Sequence, residues 1–318
     1  DENAIEKEIK LVKELIKELE SEGINGLILD LRNNGGGSLY EASALAHLFL
    51  GAGQTVQVKG PSGEIQSLGK RRGFQFYDKP LGILVNKFSA SASEILAGAI
   101  QDYKRGLVIG TETFGKGTVQ RMTPLSLGEL KFTESKFYRV SGDSVQLKGV
   151  VPDILIPDII DVDEFGMKTL DKALKGDRVP PVKHKSFNRN LILKEELEKN
   201  MIKRITSSPV FQYMSEEKEW RVGLKQKQKF SLNLNTRKQE KKNAEQSFLN
   251  RNNKYRGELG GETFNSYKEY LDSIKGDSDK KEEILDSEKE ILKEASNILV
   301  DYIESSFLPV VAKLNYKN

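Results

Sequence analysis

Cysteine is absent from the 318 residues, and the sequence has only one tryptophan and two histidines. Without cysteine there is no thiol nucleophile, no disulfide and no zinc–thiolate site. His47 falls in a predicted helix, and His184 falls in a lysine-rich, proline-flanked stretch without an acidic neighbour. A catalytic triad of serine, histidine and aspartate therefore fits the sequence poorly.

Neither sign of charge dominates, since 50 lysine and arginine residues stand against 47 aspartate and glutamate residues, for a formal net charge of +3. This balance does not indicate a nucleic-acid-binding protein. No apolar run reaches the ~18 residues of a membrane span, and no signal-peptide pattern is present. The length would ordinarily give about two domains, so the sequence predicts two domains with a sizeable core.

The run Phe88–Glu94 contains a candidate nucleophile, Ser91. It follows the apolar, strand-like stretch Leu81–Asn86 and precedes Ile95–Ile100, whose apolar spacing is helical. Ser91 and Glu94 have the spacing of a capping box, so Ser91 is expected at a helix N-terminus. Capping is the commoner role of such a serine, but free backbone amides at that position would also stabilise an oxyanion. Both roles stay open.

Lys116 lies between two glycines, Gly115 and Gly117, after the apolar strand Gly106–Gly110. A lysine acts as a general base only when neutral, so its pKa must fall from about 10.4 toward 7 through burial. Glycine neighbours allow the close backbone packing that burial needs. If residues 118–120 form a strand, Gln120 shares a face with Lys116 and can orient its amine. The alternative is an exposed lysine in a surface turn.

The same stretch resembles a phosphate-binding loop over its first seven positions, Gly110–Lys116. The eighth position of that motif requires serine or threonine for magnesium, and here it is Gly117. The residues that follow also favour a strand over the required helix. The sequence therefore disfavours nucleotide binding.

A third glycine-rich element, Asn33–Gly37, follows the apolar strand Leu27–Leu31 and precedes the helical pattern Tyr40–Phe49. Its backbone amides could bind an oxyanion together with the amide of Ala92, which follows the candidate nucleophile. The alternative is a flexible connection that needs positive φ angles.

Taken together, these segments resemble the carboxy-terminal processing peptidases, or tail-specific proteases, which share the fold of the crotonase and Clp-protease superfamily. The resemblance covers, in order, Gly26–Gly37, Phe88–Glu94, Gln101–Tyr103, Phe114–Gln120, Lys136–Arg139 and Lys148–Ile154.

The resemblance implies that Ser91 is the nucleophile, Lys116 the general base and Gln120 the residue that orients the lysine. It places the oxyanion hole at the amide of Ala92 and at Gly36 or Gly37. Asp102 matches an acidic position of the family, with a role left open between catalysis and structure.

The implied reaction is acyl transfer from a peptide to water, without a metal or cofactor. Unfolded or C-terminally tagged proteins are the expected substrates, with an adaptor or self-association through the C-terminal region as a further expectation. The resemblance places the protein in a bacterial periplasm or cell envelope. Two other interpretations remain: a catalytically silent scaffold in which Ser91 only caps a helix, and a crotonase-like acyl-CoA enzyme that would not need the serine–lysine pair.

The patterns predict an α/β layered core of crotonase/Clp-protease type over residues 1–157 and a mainly helical domain over 158–318. Strands are expected at Val145–Leu147 and 150–152, and helices near 191–201 and 287–307. The charged stretch 237–254 is interpreted as a solvated helix or a mobile segment.

No peptide-binding PDZ module precedes residue 26, and a chain beginning Asp-Glu suggests an excised segment. The resemblance then implies an incomplete sheet, and we expect cleavage by residues 1–318 alone to be weak and poorly selective.

Overall fold

The computed structural model of the chain describes residues 2–187, 194–226, 229–275 and 285–315. Two compact units are present. One comprises residues 1–156, 162–198 and 295–318, and the other comprises 157–161 and 199–294. The predicted α/β layered core followed by a mainly helical region is confirmed.

Helices and strands alternate through the first unit, and helices fill the rest of the chain. In chain order the elements are α1 Glu2–Ser21, β1 Leu27–Asp30, α2 Leu39–Leu50, β2 Gly53–Lys59, β3 Ile65–Lys70, β4 Leu81–Val85, α3 Ala92–Asp102, β5 Leu107–Gly110, β6 Thr118–Pro124, β7 Glu129–Tyr138, β8 Ile154–Leu155, a 3₁₀ turn at Met167–Thr169, α4 Lys194–Ser207, α5 Pro209–Gln226, α6 Leu234–Glu258, α7 Tyr267–Lys275 and α8 Ser287–Asn315.

A parallel sheet with the order β1-β4-β5-β8 forms the centre of the first unit. Its register aligns Leu27 with Leu81 and Gly82 with Leu107. Every residue of β4 and β5 is buried, as expected for parallel strands covered on both faces. The carboxyl ends of parallel strands lie at one edge, so the segments that follow β1, β4 and β5 meet there. These segments are the glycine loop (residues 33–37), the serine run (residues 88–94) and the lysine run (residues 111–117).

The core consists of apolar side chains from this sheet and from α2 and α3. Phe49, Ile83, Ala97 and Val108 are fully buried. Burying a large apolar side chain contributes roughly 1.5–3 kcal/mol, so these contacts hold the sheet and both helices in a fixed arrangement. The loops at the carboxyl edge are therefore carried by a rigid support.

An antiparallel sheet with the order β3-β2-β7-β6 is the second layer of this unit. Strand β6 confirms the strand predicted after Lys116, and β7 pairs with it from Thr118 opposite Lys136 to Pro124 opposite Glu129. The long β6–β7 hairpin brings Gln120 to the same side as the lysine run.

The strands expected at Val145–Leu147 and 150–152 are wrong, because these residues form a buried loop. Leu147 has φ 69°, which no extended strand permits. The amide of Leu147 donates to Gly115 O at 2.9 Å, and the amide of Val150 donates to Thr113 Oγ1 at 2.7 Å. Val145 and Val150 are fully buried in this loop, while Val151 is 51% exposed. Burial in the loop accounts for the two buried valines without sheet pairing.

Residues 162–187 run over the first unit without a long element of their own. Along this segment the amide of Met167 donates to Phe114 O, that of Val182 to Val140 O, and that of Phe187 to Tyr103 O. These bonds tie the segment to the core at three points. The division after residue 157 stays a prediction.

The helices expected near 191–201 and 287–307 correspond to α4 and α8, while residues 191–193 lie outside the described residues. The charged stretch 237–254 lies in the 25-residue helix α6, which Asn233 caps by accepting from the amides of residues 235 and 236. Among the described residues, every helix is too short or too polar to cross a bilayer.

Asp102 is at the C-terminal end of α3 and is half of an ion pair. Arg139 donates to both of its carboxylate oxygens, and the amide of Ser141 donates to Oδ2 at 3.1 Å. The side chains of Asp102 and Arg139 are only 7% and 15% exposed. The pair joins α3 to the segment after β7. A structural role is therefore sufficient to explain the acidic residue at position 102.

We expect Asp102→Ala to lower the free energy of unfolding by about 3–5 kcal/mol, because it leaves the Arg139 guanidinium without its counter-charge in a mostly buried position. Urea unfolding followed by circular dichroism measures the change. Asp143→Ala is the matched control, since its pair with Arg178 has side chains 51% and 74% exposed and should contribute less than about 1 kcal/mol. Equal losses in the two variants would contradict this assignment.

Candidate active site

One cleft brings together most of the residues that the sequence singles out. Its volume is about 250 Å³, and Gly37, Ser91, Ala92, Lys116 and Gln120 all line it. The rest of its lining is Lys131, Thr118 and the largely apolar set Leu39, Ile95, Val119 and Phe137. The cleft therefore contains the candidate nucleophile, base and amide groups, which follow three adjacent parallel strands. Gln120 joins them from the hairpin.

Ser91 has an uncommon backbone conformation, with φ 56° and ψ −111°. Ser38, which caps α2, shows the ordinary geometry instead: φ −72°, ψ 130°, and a side chain that accepts from the Glu41 amide. A non-glycine residue in a sparsely populated region costs of order 1–3 kcal/mol and persists only where its surroundings hold it. A simple cap needs no such strain, so the conformation of Ser91 favours a functional role.

The carboxylate of Glu94 holds this conformation and joins the serine run to the lysine run. Its Oε2 accepts from the amides of Ser91 at 2.7 Å and Lys116 at 3.0 Å. Its Oε1 accepts from the Thr113 hydroxyl at 2.6 Å and the Gly115 amide at 2.7 Å. Burial raises the pKa of Glu94, while these four hydrogen bonds act in the opposite direction. The capping-box spacing identified the bond to Ser91 but not the three to the lysine run.

Lys116 is half-buried at the wall of the cleft. Burial lowers the pKa of its amine, and the positive charge of Lys131 lowers it further, while Glu94 acts in the opposite direction. Among the described residues, no carboxylate or carbonyl accepts from its Nζ. The amine is therefore placed where its neutral form is favoured relative to a surface lysine.

A second lysine near the serine run, Lys87, has the opposite environment. Its side chain is 1% exposed, and Nζ donates to Glu112 Oε1 at 3.1 Å and to Thr113 O at 2.8 Å. These two hydrogen bonds hold the Lys87 amine away from the cleft that contains Ser91, whose lining does not include Lys87. Of these two lysines, only Lys116 is suited to act as a base.

The two glycines beside Lys116 are required by the buried loop that packs on them. A Cβ on Gly115, which has φ +90°, would meet Leu147 C at 2.9 Å, and a Cβ on Gly117 would meet Gln146 N at 2.9 Å. The amide of Gly117 also donates to Gln146 Oε1 at 2.8 Å. Close backbone packing thus positions Lys116. The strand β6 that follows differs from the helix of a phosphate-binding loop.

Gly36 packs directly against the serine run. A Cβ there would lie 2.8 Å from Ser91 Cβ and 2.9 Å from Ala92 N, and its φ is +100°. The Gly36 amide donates to Asn34 Oδ1 at 2.9 Å. The amides of Gly37 and Ala92 have no acceptor among the described residues. Gly37 and Ala92 are thus the better placed of the three amide candidates.

A second cavity of about 500 Å³ is lined by Asn33, Gly35, Phe88, Ala90, Phe114 and Lys116. The ring of Phe88 packs edge-on against Phe165 at 5.3 Å between centroids. Lys116 therefore lines both this cavity and the cleft that contains Ser91. Within the described ranges, no group of three or more histidine, aspartate or glutamate side chains is placed to hold a metal ion.

Comparison with known proteins identifies the family of the chain. Residues 3–156 match peptidase family S41, and residues 160–304 match the C-terminal domain of tail-specific protease. The chain is 42% identical over 241 residues to the tail-specific protease of Haemophilus influenzae, an alignment that covers 72% of this chain and 35% of that protein. The chain belongs to peptidase family S41.

Other similar proteins match a smaller part of the chain. The carboxy-terminal-processing protease of Bartonella bacilliformis is 39% identical over 147 residues, covering 46% of this chain and 34% of that protein. The solved structure of a photosystem II D1 C-terminal processing protease is 34% identical, with a TM-score of 0.43, covering 49% of this chain and 41% of that one. The chain spans about a third of the length of these curated relatives. The predicted family is confirmed.

Glu94→Gln tests the link between the two runs. The glutamine side chain keeps one acceptor oxygen but places an N–H group opposite other donors. We therefore expect the free energy of unfolding to fall by about 3 kcal/mol. Backbone amide exchange at Ser91 and Lys116 should accelerate, as measured by NMR. Glu134→Gln on the exposed face of β7 is the control and should change stability by less than about 1 kcal/mol. Unchanged exchange at both amides would refute the role of Glu94.

Proposed function

We propose that this chain carries the catalytic core of a serine peptidase in which Ser91 is the nucleophile and Lys116 the general base. The observation that carries the proposal is the shared cleft, which combines a strained serine at a helix N-terminus with a half-buried lysine that lacks an acidic partner among the described residues. A nucleophile and a base in one cleft form the minimum set for acyl transfer.

In the proposed mechanism, neutral Lys116 takes the proton of the Ser91 hydroxyl as Oγ attacks the scissile carbonyl. The resulting ammonium then gives that proton to the leaving amine, and the peptide C–N bond breaks. Water attacks the acyl-enzyme by the same route and releases the acid and Ser91. Each proton taken by the lysine is returned, so the cycle balances without a metal or cofactor.

The proposed oxyanion hole consists of the amides of Ala92 and Gly37. Ala92 is the first residue of α3, where backbone donors and the positive end of the helix dipole favour a negative oxygen. Gly36 supports the hole by letting the glycine loop pack on Ala92, with its own amide committed to Asn34. Removing one such donor typically costs ~10²–10³ in rate.

Gln120 is proposed to orient the Lys116 amine. It lies on β6 two residues beyond Thr118, and all three side chains line the cleft. An amide oxygen facing the amine would accept its hydrogen bond without adding a charge that stabilises the ammonium. Glutamine serves this purpose better than glutamate, whose charge would raise the lysine pKa.

For substrates, we propose the unfolded or C-terminally tagged proteins of a bacterial cell envelope. The names of the relatives, tail-specific and carboxy-terminal-processing proteases, support cleavage at C-terminal tails. The cell envelope is proposed from the family resemblance alone. Binding of an adaptor, or self-association through the helical region, also remains a prediction from the family resemblance. A scaffold without catalysis is the alternative, and it needs neither the strain at Ser91 nor the unpaired Lys116.

We expect Ser91→Ala and Lys116→Ala each to reduce degradation of an unfolded model protein at least about 1,000-fold, because each removes a member of one catalytic unit. The double variant should be no slower than either single variant, since the two residues act together. Fragment release resolved by mass spectrometry measures the rate. Lys87→Met is the control for a lysine near the serine that is not the base, and it should retain the pH profile of the parent. Undiminished degradation in both single variants would reject the serine–lysine assignment.

The reaction rate should rise with pH, because only the neutral amine of Lys116 accepts a proton. Burial and the charge of Lys131 lower its pKa from the ordinary 10.5. The rising limb of the pH–rate profile should therefore lie below that value. Lys131→Gln removes the nearby positive charge, and the Lys116 pKa and the rising limb should both move to higher pH. Lys241→Gln, on α6, should leave the limb in place. A limb that does not move in Lys131→Gln would contradict this tuning.

A further inference from the structure

A separate groove lies at the C-terminal end of α3, about 16 Å along the helix axis from Ser91. Its volume is about 690 Å³. Two basic runs that are remote in sequence meet across it, 70–72 (Lys-Arg-Arg) at the end of β3 and 183–185 (Lys-His-Lys) in the segment that crosses the core. The side chains that line the groove include Lys70, Arg71, Lys183, His184 and Lys185.

These positive charges have no acidic counterpart in the groove. Aspartate and glutamate are absent from the lining. Among the described residues, no carboxylate forms an ion pair with Lys70, Arg71, Lys183 or Lys185. Lys136 on β7, by contrast, is paired with Asp177. Uncompensated charge of one sign in a concave surface focuses the electrostatic potential and attracts an anionic partner.

The walls of the groove are held by specific contacts. The Lys70 amide donates to the buried ring of His47 at 3.1 Å, which fixes the end of β3. The ring of His184 lies 4.6 Å from that of Tyr103 and contacts the carbonyls of Val182 and Asp102. These contacts hold one residue of each basic run in place, Lys70 on one side of the groove and His184 on the other.

The floor between the basic runs is largely apolar, from Leu50, Ala52, Tyr103 and Phe187. Helices α2 and α3 both end here, and carbonyls at both ends are already bonded: Phe49 O accepts from the buried Arg105 guanidinium at 3.0 Å, and Tyr103 O accepts from the Phe187 amide at 2.9 Å. An apolar floor favours apolar side chains over a compact dianion such as phosphate, which would lose hydration there. Carboxylates at the rim, reached by the long lysine side chains, would be favoured.

We infer that this groove binds an acidic peptide segment in which glutamate or aspartate alternates with apolar side chains. The carboxylates pair with the two basic runs, and the apolar side chains cover Leu50, Ala52 and Phe187. A nucleic acid fits less well, because Tyr103 is buried and covered by His184 and offers no free ring for base stacking. This inference does not depend on catalysis at Ser91.

The test uses the Ser91→Ala chain, so that no peptide is cleaved, and a fluorescein-labelled twelve-residue peptide of alternating glutamate and leucine. Fluorescence anisotropy should show saturable binding that weakens as salt rises from 50 to 300 mM, since the contacts are exposed charges. The same peptide with glutamine in place of glutamate should bind at least tenfold more weakly.

Charge reversal locates the site. Combining Lys70→Glu, Arg71→Glu, Lys183→Glu and Lys185→Glu should weaken binding at least tenfold. The matched control reverses four exposed lysines of the helical region, Lys199, Lys203, Lys238 and Lys242, and should leave the affinity within twofold. Circular dichroism checks that both variants remain folded.

Three outcomes would overturn the inference. They are absence of binding to the parent chain, equal weakening in the control variant, and equal binding of the glutamine peptide. Displacement of the peptide by inorganic pyrophosphate or by an oligothymidylate at lower concentration than by unlabelled peptide would also overturn it, in favour of a phosphate-binding surface.

Discussion

The buried carboxylate of Glu94 is the interaction on which the candidate site depends. Its two oxygens accept four hydrogen bonds, which fix Ser91 on one side and Gly115 and Lys116 on the other. Burying an unpaired carboxylate is costly, so the four donors must be present for this side chain to be tolerated. The consequence is that the two runs cannot move independently. The proposed nucleophile and the proposed base, on separate loops, are thereby held in one rigid group.

The parallel sheet supplies the second condition, because it places the three loops at one edge. Strands β1, β4 and β5 are adjacent in the sheet, so the glycine loop, the serine run and the lysine run are neighbours before any side-chain contact forms. The antiparallel hairpin then adds Gln120 and Lys131 from outside this layer. The parallel sheet fixes the positions of the loops, whereas the antiparallel hairpin supplies residues that surround Lys116. Residues of the hairpin can therefore change the environment of Lys116 without altering the core.

The local motifs could be recognised in the sequence because each follows an apolar strand and contains characteristic glycine or serine residues. Ser91, Lys116 and the glycine loop were found this way, as was the strand holding Gln120. The buried loop around Val145 and Leu147 was misread, since apolar residues packed against a loop and apolar residues in a sheet have the same composition. The three bonds from Glu94 to the lysine run, and the meeting of two basic runs more than 110 positions apart, depend on tertiary contacts that no local pattern contains.

Helix α3 also gives the first unit two chemically different ends. At its N-terminus the amide of Ala92 and the positive dipole end suit an oxygen that becomes negative during a reaction. At its C-terminus the carbonyls are already used, with Tyr103 O accepting from Phe187, and the positive charge comes from side chains instead. Backbone donors act at a fixed point, whereas lysine side chains reach over a range of positions. The first arrangement suits one atom of a ligand, and the second suits only a charge and an approximate shape. This difference distinguishes the proposed reaction centre from the proposed docking groove on the same helix.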